Sequence, residues 1–369
     1  MRKKKILLIS NLYWNFANFR KDLIDNLTHS KKFDVFMIAK EDGYSKKFKN
    51  HNLKLYKWYI NENSLNILKE LFALIHLSYL FLKIRPDFVF SFTSKPNIYS
   101  SILLLFLNFK FCPNITGLGS YFINKSFVNK IYNYFYKNFF KRAHCVFVQN
   151  YKDKKTFKDK YKLDPKKIIL LPGSGINLNK FSPKYKFNSY CINFLLVARL
   201  IKDKGIQEFY EASSIAYKTN KKLKFFLIGD FNKNNKNSIS IDLFQKIKKA
   251  KHIKFKSFKK NISSEINNMD CVVLPSYREG KSRFLLEGLA LGKPLITSNV
   301  PGCEELCTNF NGYKCKPMSV QSLSGAIIKM SKLKKKQLIE MGKQSRSLIE
   351  NKYDLKYLLN QYNNVINLM

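Results

Sequence analysis

Residues 271–287 read CVVLPSYREGKSRFLLE, and this run carries the clearest fold signal in the chain. The apolar residues 271–274 are typical of a buried strand in a parallel sheet, and the apolar spacing from Phe284 predicts a helix that Gly292 ends. A helix that begins near Ser282 would point its free N–H groups and positive dipole end at the carboxyl edge of that strand. The stretch therefore predicts a strand, a tight turn and a helix that offer a place for an anionic, usually phosphorylated, ligand.

Two carboxylates stand eight positions apart in this stretch. Glu279 lies before the predicted helix and Glu287 within it, so they can reach opposite ends of one elongated ligand. Most acid pairs at this spacing belong to the solvated surface, so the pair alone does not identify a site.

Strand-like and helix-like segments alternate along the chain, which predicts an α/β protein with parallel, doubly wound sheets. In the first half, strands are expected at 6–10, 33–39, 88–92 and 146–148, and helices at 18–27, 65–83 and 100–107. A Pro/Gly/Ser/Asn-rich link, 172–183, precedes a second series, with strands at 192–198, 225–228, 253–258, 271–274 and 294–297. We expect two Rossmann-like domains, 1–180 and 181–350, with a cleft between them and a C-terminal helix, 351–369, that packs back toward the first.

The charge of the chain is unusual. Its 369 residues include 67 Lys and Arg against 25 Asp and Glu, a formal net charge of +42. Such a field favours polyanions, whether nucleic acid, an anionic bilayer or a phosphorylated substrate. Lys, Asn, Ile, Phe and Tyr are abundant together, so a coding bias is an equally good explanation of most of the excess.

The cysteines and apolar runs bear on the compartment. Seven cysteines without a C-x-x-C pair indicate a reduced, cytosolic protein, and Cys303, Cys307 and Cys315 lack zinc-type spacing. The apolar run after the basic N-terminus is too short for a signal peptide and reads as a strand. The longest apolar segment, 71–82, is predicted to be a core helix rather than a membrane span.

Two cations follow the first strand of the second series. Residues 199–205 read RLIKDKG, so Arg199 and Lys204 stand beyond the carboxyl end of a strand, where open α/β sheets bind ligands. Arg offers a fork of donors and Lys a point charge, which suits a diphosphate. Among 67 cations any one pair is more often surface, but its combination with Glu279 and Glu287 favours a site.

These motifs carry a resemblance to a known family. Arg199-x4-Lys204, Glu279-x7-Glu287 and the run ALGKPLI at 290–296 resemble the retaining glycosyltransferases of family 4, which have the GT-B fold: two Rossmann-like domains facing a central cleft. LPGSGINLNKF at 171–181 and VPGC at 300–303 are further matches. In the first half, KPNIY at 95–99 and NITGLGS at 114–120 look like the subgroup that builds polyprenyl-linked glycans.

The resemblance implies a role for each matched residue. Arg199 and Lys204 would neutralise the diphosphate of the donor and the charge that grows on it as the sugar leaves. Glu279 would hold a hydroxyl of the transferred sugar, and Glu287 would accept hydrogen bonds from the ribose hydroxyls. The remaining donor-binding residues would be Gly280, Lys281, Ser282 and Arg283, with Lys281 and Ser282 offering backbone N–H groups.

The family needs no bound metal, and the chain has no D-x-D motif, so we expect no cofactor. Many members place a His over the donor sugar, but the corresponding segment, 114–121, has none, and His144 is expected to be structural. We therefore assign no general base. A front-face mechanism, in which the departing phosphate takes the proton of the acceptor, would need none.

The acceptor side is harder to assign. The basic, aromatic segment 127–142 reads either as a helix at a bilayer interface or as a core helix with a solvated Lys face. The segment 15–20 is the other acceptor candidate, with Arg20 as a contact for a lipid diphosphate.

The resemblance thus implies a retaining transferase that moves a sugar from a UDP-sugar to an undecaprenyl-diphosphate-linked saccharide. N-acetylgalactosamine or another N-acetylhexosamine is the expected sugar. The enzyme would be cytoplasmic and peripheral on an anionic membrane surface. One alternative is a family 4 transferase with another donor sugar, in capsule or lipooligosaccharide synthesis. Another is a nucleic-acid-binding protein, which the charge suggests, although no binding motif is present and no nucleic acid partner is expected. A donor-binding protein that has lost catalysis is disfavoured by its four retained site residues, Arg199, Lys204, Glu279 and Glu287.

Overall fold

The computed structural model of the chain consists of two compact units. One comprises Met1–Ser174 with the C-terminal helix from Leu358, and the other Gly175–Tyr357. The sequence-based boundaries were 180 and 350. The structure describes residues 2–49, 51–61, 64, 66–118, 127–185, 192–258 and 261–367.

The first unit is built on a seven-stranded parallel sheet in the order β3-β2-β1-β4-β5-β6-β7. Its central strands are continuous apolar runs, as expected for strands covered on both faces. The strands are β1 (Lys4–Leu12), β2 (Phe33–Lys40), β3 (Leu53–Lys57), β4 (Phe88–Phe92), β5 (Lys110–Ile115), β6 (Val146–Val148) and β7 (Ile168–Leu170). The helices are α1 (Tyr13–Phe19), α2 (Lys21–His29), α3 (Ile67–Ile84), α4 (Ser94–Leu103), α5 (Phe127–Asn138) and α6 (Tyr151–Asp159).

The second unit has a six-stranded parallel sheet in the order β10-β9-β8-β11-β12-β13. The strands are β8 (Asn193–Val197), β9 (Lys224–Ile228), β10 (Ile253–Lys256), β11 (Cys271–Leu274), β12 (Leu295–Ser298) and β13 (Gly312–Cys315). The helices are α7 (Ile206–Thr219), α8 (Ile241–Lys249), α9 (Ser263–Asn267), α10 (Arg283–Ala290), α11 (Val320–Ser331) and α12 (Lys335–Lys352). Helix α13 (Leu355–Asn367) follows α12 and belongs, from Leu358 on, to the first unit. The predicted doubly wound α/β class is confirmed for both units.

Helix α13 completes the core of the first unit. The Tyr362 ring is fully buried and lies 4.7 Å from Phe147 and 5.2 Å from Phe90, centroid to centroid. Its hydroxyl donates to Asn114 Oδ1. Helix α13 therefore packs on the sheet formed by the first 174 residues.

Several expected elements differ from the structure. The helix predicted at 18–27 is two helices, α1 and α2, separated at Arg20, whose backbone leaves the helical region (φ −131°, ψ 4°). The helix predicted at 100–107 lies earlier, at Ser94–Leu103. Strands β3, β5, β7 and β13 were not expected.

The apolar segment 71–82, predicted to be a core helix, is a helix that is only partly buried. It lies in α3, which Asn66 caps at its N-terminus by accepting from the Lys69 N–H at 3.2 Å. Arg85, at φ +52°, ends the helix just before Pro86. Only one side of α3 is buried. Within the described ranges no helix is long and apolar enough to cross a membrane.

Candidate active site

The predicted donor-site residues lie in two loops at one edge of the second sheet. β8 and β11 are neighbouring parallel strands, so the loops that follow them meet at the same edge. The first loop carries Arg199 and a 3₁₀ turn at Lys202–Lys204, and the second carries Glu279. The strand order reverses between β8 and β11, which is where open α/β sheets bind their ligands.

An ion pair joins these two loops. Lys204 Nζ donates to Glu279 Oε1, and the Ser276 hydroxyl donates to the same oxygen at 2.7 Å. The Tyr277 N–H also donates to the Asp203 carbonyl at 2.9 Å. The fold thus brings together a cation and a carboxylate that lie 75 positions apart in the sequence. Their side chains are 19% and 14% exposed, so a ligand can still reach both.

Tyr277 anchors the second loop to α7. Its hydroxyl donates to Glu208 Oε1 at 2.6 Å. Burial, and then the hydrogen bond to Glu208, raise the pKa of Tyr277 well above its ordinary value, so the hydroxyl stays protonated and remains a donor. Ser276 and Tyr277 lie in the turn that the sequence singled out, but their contacts were not predicted.

Gly205 allows the close approach of the loops. It caps α7 at φ +67°, and a Cβ at this position would lie 2.2 Å from the Pro275 carbonyl oxygen. Any side chain here would both strain the backbone and push the turn that holds Lys204 away from β11. Gly302, at φ +76°, packs in the same way on the Glu279 and Gly280 carbonyls.

Gly205→Ala is therefore expected to destabilise the protein by about 2 kcal/mol or more and to reduce activity, because strain and clash act together. Gly43→Ala is the matched control, since Gly43 has φ +81° but nothing within 4 Å of its added Cβ. That control should show only the backbone strain, about 1 kcal/mol. Thermal unfolding midpoints measure both, and equal shifts would contradict the steric argument.

Arg199 lies two residues beyond β8 and is exposed. Among the described residues, its guanidinium forms no ion pair or hydrogen bond. An exposed guanidinium at the ligand edge of the sheet is free to bind an oxyanion.

Ser282, at the start of α10, is hydrogen-bonded within the protein. It is the N-cap of the helix and accepts from the Leu285 N–H at 3.3 Å. The Ser282 N–H itself donates to the Gly302 carbonyl at 3.3 Å. The Ser282 N–H was predicted to bind a sugar or phosphate. In this conformation it donates to a protein carbonyl instead.

Lys281 has a structural contact rather than an exposed side chain. Its ammonium pairs with Glu305 and lies 5.0 Å from the centre of the Tyr353 ring, and the side chain is 2% exposed. This buried pair fixes the turn before α10. Glu305 could not be found from the motif, because it lies 24 positions away.

Glu287 is held by Arg283, one turn earlier in α10. Arg283 Nε donates to Glu287 Oε1 at 2.8 Å, and a second guanidinium nitrogen donates to the Gly175 carbonyl at 2.8 Å. The Glu287 side chain remains 14% exposed. Arg283, predicted as a donor-binding residue, therefore contacts the protein and orients the carboxylate.

Three of the predicted acceptor residues of the first unit, Arg20, Tyr132 and Tyr136, are buried. Arg20 is 4% exposed, and its guanidinium lies 4.9 Å from the centre of the Phe92 ring. Tyr132 and Tyr136 of α5 belong to the hydrophobic core, which favours the core-helix alternative for 127–142. Of the predicted donor-sugar segment 114–121, residues 119–121 lie outside the described residues.

The structure also shows the surroundings of His144 and of the three clustered cysteines. His144 packs against Phe88 with ring centroids 6.5 Å apart, and burial lowers its pKa. Cys303, Cys307 and Cys315 are buried thiols, and burial raises the pKa of Cys307 to about 12. These residues have the surroundings of structural side chains.

Comparison with known families decides the class. Residues 179–353 match the family described as glycosyl transferases group 1, and residues 5–150 match the family described as glycosyl transferase 4-like. The chain belongs to the glycosyltransferases. The expected class of enzyme, a hexosyl or N-acetylhexosaminyl transferase, is confirmed, and the alternative of a nucleic-acid-binding protein, which only the charge suggested, is not supported.

Curated relatives of this glycosyltransferase cover most of its length. One is N,N'-diacetylbacillosaminyl-diphospho-undecaprenol alpha-1,3-N-acetylgalactosaminyltransferase of Campylobacter jejuni, 28% identical, with 88% of each chain covered. Another is UDP-Gal:alpha-D-GlcNAc-diphosphoundecaprenol alpha-1,3-galactosyltransferase of Escherichia coli, 24% identical, with 89% of this chain and 87% of the relative covered.

A solved structure gives the fold. HepE of Anabaena, crystallised with UDP and glucose, superposes with a TM-score of 0.80 over 99% of this chain and 100% of its own, at 15% identity. The glycosyltransferase has the GT-B fold, as the motifs implied.

Proposed function

We propose that the enzyme transfers a sugar, N-acetylgalactosamine or another N-acetylhexosamine, from a UDP-sugar to a polyprenyl-diphosphate-linked saccharide. The anomeric configuration is retained. The contact between Lys204 and Glu279 carries this proposal, because it unites the two halves of the motif at the ligand edge of one sheet.

Lys204 and Arg199 bind the donor diphosphate. Arg199 is exposed at the end of β8, and Lys204 lies in the next turn of the same loop. Its ammonium has three donors, so it can keep its contact with Glu279 while it also donates to a phosphate oxygen. Two cations stabilise the leaving UDP as negative charge develops on it.

The reaction proceeds at the front face of the sugar. The bond between the anomeric carbon and the β-phosphate oxygen breaks, and a bond from the acceptor hydroxyl oxygen to the same carbon forms. The acceptor proton moves to the departing phosphate, so no protein base is required. Trapping a covalent glycosyl-enzyme on a carboxylate would contradict this mechanism.

The two carboxylates orient the donor. Among the described residues, both side-chain hydrogen bonds of Glu279 use Oε1, which leaves Oε2 to accept from a sugar hydroxyl. Glu287 accepts from the ribose hydroxyls, and Arg283 positions it. Gly280 follows Glu279 in the turn that Gly302 packs against.

The names of the relatives support the choice of substrates. The Campylobacter jejuni and Escherichia coli proteins act on undecaprenol-diphosphate-linked sugars, and the second takes UDP-Gal. The UDP complex of HepE supports a UDP-linked donor. A lipid-linked acceptor would place the enzyme at the cytoplasmic face of the membrane as a peripheral protein.

A donor panel tests the proposal. We expect UDP-N-acetylgalactosamine or UDP-N-acetylglucosamine to be used at least tenfold better than UDP-glucose and UDP-galactose, since pocket contacts to one polar group provide about that discrimination. Polyprenyl-diphosphate mono- and disaccharides serve as acceptors, and NMR of the product gives the anomer. A preference for another UDP-sugar would favour the capsule or lipooligosaccharide alternative, and an inverted product would contradict retaining transfer.

A further inference from the structure

Helix α3 of the first unit has two apolar sides. One side contributes Ala73, Leu77, Leu80, Phe81 and Ile84 to the core. The other exposes seven large apolar side chains, each between 52% and 81% exposed: Ile67, Leu68, Leu71, Phe72, Ile75, Tyr79 and Leu82. We call these seven residues, together with Tyr59, the α3 face.

This exposure is not what a surface helix of a soluble domain normally has. Scattered exposed apolar residues need no explanation, but a contiguous stripe marks an interaction surface. The stripe follows helical spacing along 18 residues, a length of about 27 Å. Helix α12 has the same length as α3. Within the described ranges, none of the large exposed apolar side chains belongs to α12. The α3 face is therefore a particular feature of this helix.

Tyr59 extends the stripe beyond the helix. It is 52% exposed, and its ring lies 6.3 Å from Phe72 and 4.8 Å from His76. Tyrosine is enriched where an apolar layer meets water, because its ring is apolar and its hydroxyl is polar. Tyr59 and Tyr79 give the α3 face this amphipathic character.

The charges at the α3 face are positive. Lys69 and Lys83 are the exposed charged residues of the helix. Lys83 Nζ lies 5.9 Å from the Tyr79 ring centre, and Lys57 Nζ lies 4.8 Å from that of Tyr59. Cations bordering an apolar stripe complement a surface that is apolar inside and negative outside.

The only carboxylate of α3 does not offset these cations at the surface. Both oxygens of Glu70 accept from Lys95 Nζ at 2.8 Å, and one also accepts from the Tyr99 hydroxyl. Glu70 is thereby neutralised by its own ion pair. A protein partner with a basic face would find no acidic group here, whereas acidic lipid headgroups would find three lysines.

We propose that the α3 face lies in the interface of an anionic bilayer, with its apolar side chains at the boundary of the acyl chains and its lysines on acidic phospholipid headgroups. An interfacial helix was one of the two alternatives for 127–142, but Tyr132 and Tyr136 of that segment are in the core. The inference rests on the proposed function in one respect: membrane binding would serve to bring the enzyme to a lipid-linked acceptor.

Vesicle cosedimentation of the purified full chain tests the α3 face without any substrate. The wild type should bind vesicles of phosphatidylcholine mixed with phosphatidylglycerol and bind pure phosphatidylcholine more weakly. The variant Leu71→Ser/Ile75→Ser/Tyr79→Ser should lose at least tenfold in partitioning, because three inserted side chains are removed. The matched control Ile215→Ser/Ile241→Ser/Phe310→Ser removes three exposed apolar residues of the second unit and should bind like the wild type.

The outcomes separate this inference from the transferase proposal. Equal binding of both triple variants, or no vesicle binding by the wild type, would overturn it. Dimerisation that only the α3 variant abolishes, without vesicle binding, would assign the face to a second copy and overturn it too. Retained transfer to a short-chain, water-soluble prenyl acceptor by the α3 variant would confirm that the variant is folded and that the loss concerns the membrane alone.

Discussion

Lys204→Ala should lower turnover by about 10²–10³-fold while the protein remains folded. Lys204 is the cation that reaches Glu279 at the ligand edge of the second sheet, and in the proposed mechanism its ammonium faces the diphosphate as charge develops there. Removing one preorganised donor to a developing oxyanion has an effect of about this size. Steady-state kinetics at saturating UDP-sugar measures it, and circular dichroism checks the fold.

Lys202→Ala is the matched control for this variant. Lys202 lies in the same 3₁₀ turn, carries the same charge and is exposed, so the change in net charge is identical. The control should keep near-normal turnover. If Lys204→Ala also did so, the phosphate role would be dismissed, and if both variants lost activity equally, the effect would belong to the turn rather than to one ammonium.

Glu287→Gln should raise the KM for the UDP-sugar about tenfold and leave kcat nearly unchanged. The amide oxygen can still accept from Arg283 Nε, so α10 keeps its local contact. The substitution removes the negative charge that strengthens the hydrogen bonds from the ribose hydroxyls. This loss costs about 1.5 kcal/mol or more of binding free energy. Binding in both ground and transition states weakens, which appears in KM.

The control for this prediction is Glu350→Gln. Glu350 forms the same kind of contact one turn along a helix, accepting from Arg346 Nε at 2.5 Å in α12. Its loss should leave the donor KM unchanged. An unchanged KM in Glu287→Gln as well would remove the assignment of Glu287 to the ribose.

Much of the fold was predictable because buried parallel strands are continuous apolar runs. The strands that were missed lack this signal. β3 (Leu53–Lys57) alternates with Lys and lies at the sheet edge, and β5 (Lys110–Ile115) contains Pro113, which argues against a strand although it pairs with β4. At the helix break, the Arg20 side chain is buried against Phe92, a contact that local spacing does not reveal.

The site was predictable to the level of loops and not of contacts. Arg199, Lys204 and Glu279 could be placed at one edge because parallel strands align their carboxyl ends. Two contacts depend on how separate loops pack: the ion pair of Lys281 with Glu305 and the hydrogen bond from the Ser282 N–H to the Gly302 carbonyl. For the same reason, the apolar spacing of α3 could not distinguish a core helix from one whose second side is exposed.

A crystal structure of the enzyme soaked with UDP tests the central claim most directly. We predict diphosphate oxygens within about 3 Å of Lys204 Nζ and the Arg199 guanidinium, and ribose hydroxyls at a similar distance from the Glu287 carboxylate. UDP bound away from the carboxyl ends of β8 and β11, with Lys204 still contacting only Glu279, would contradict it.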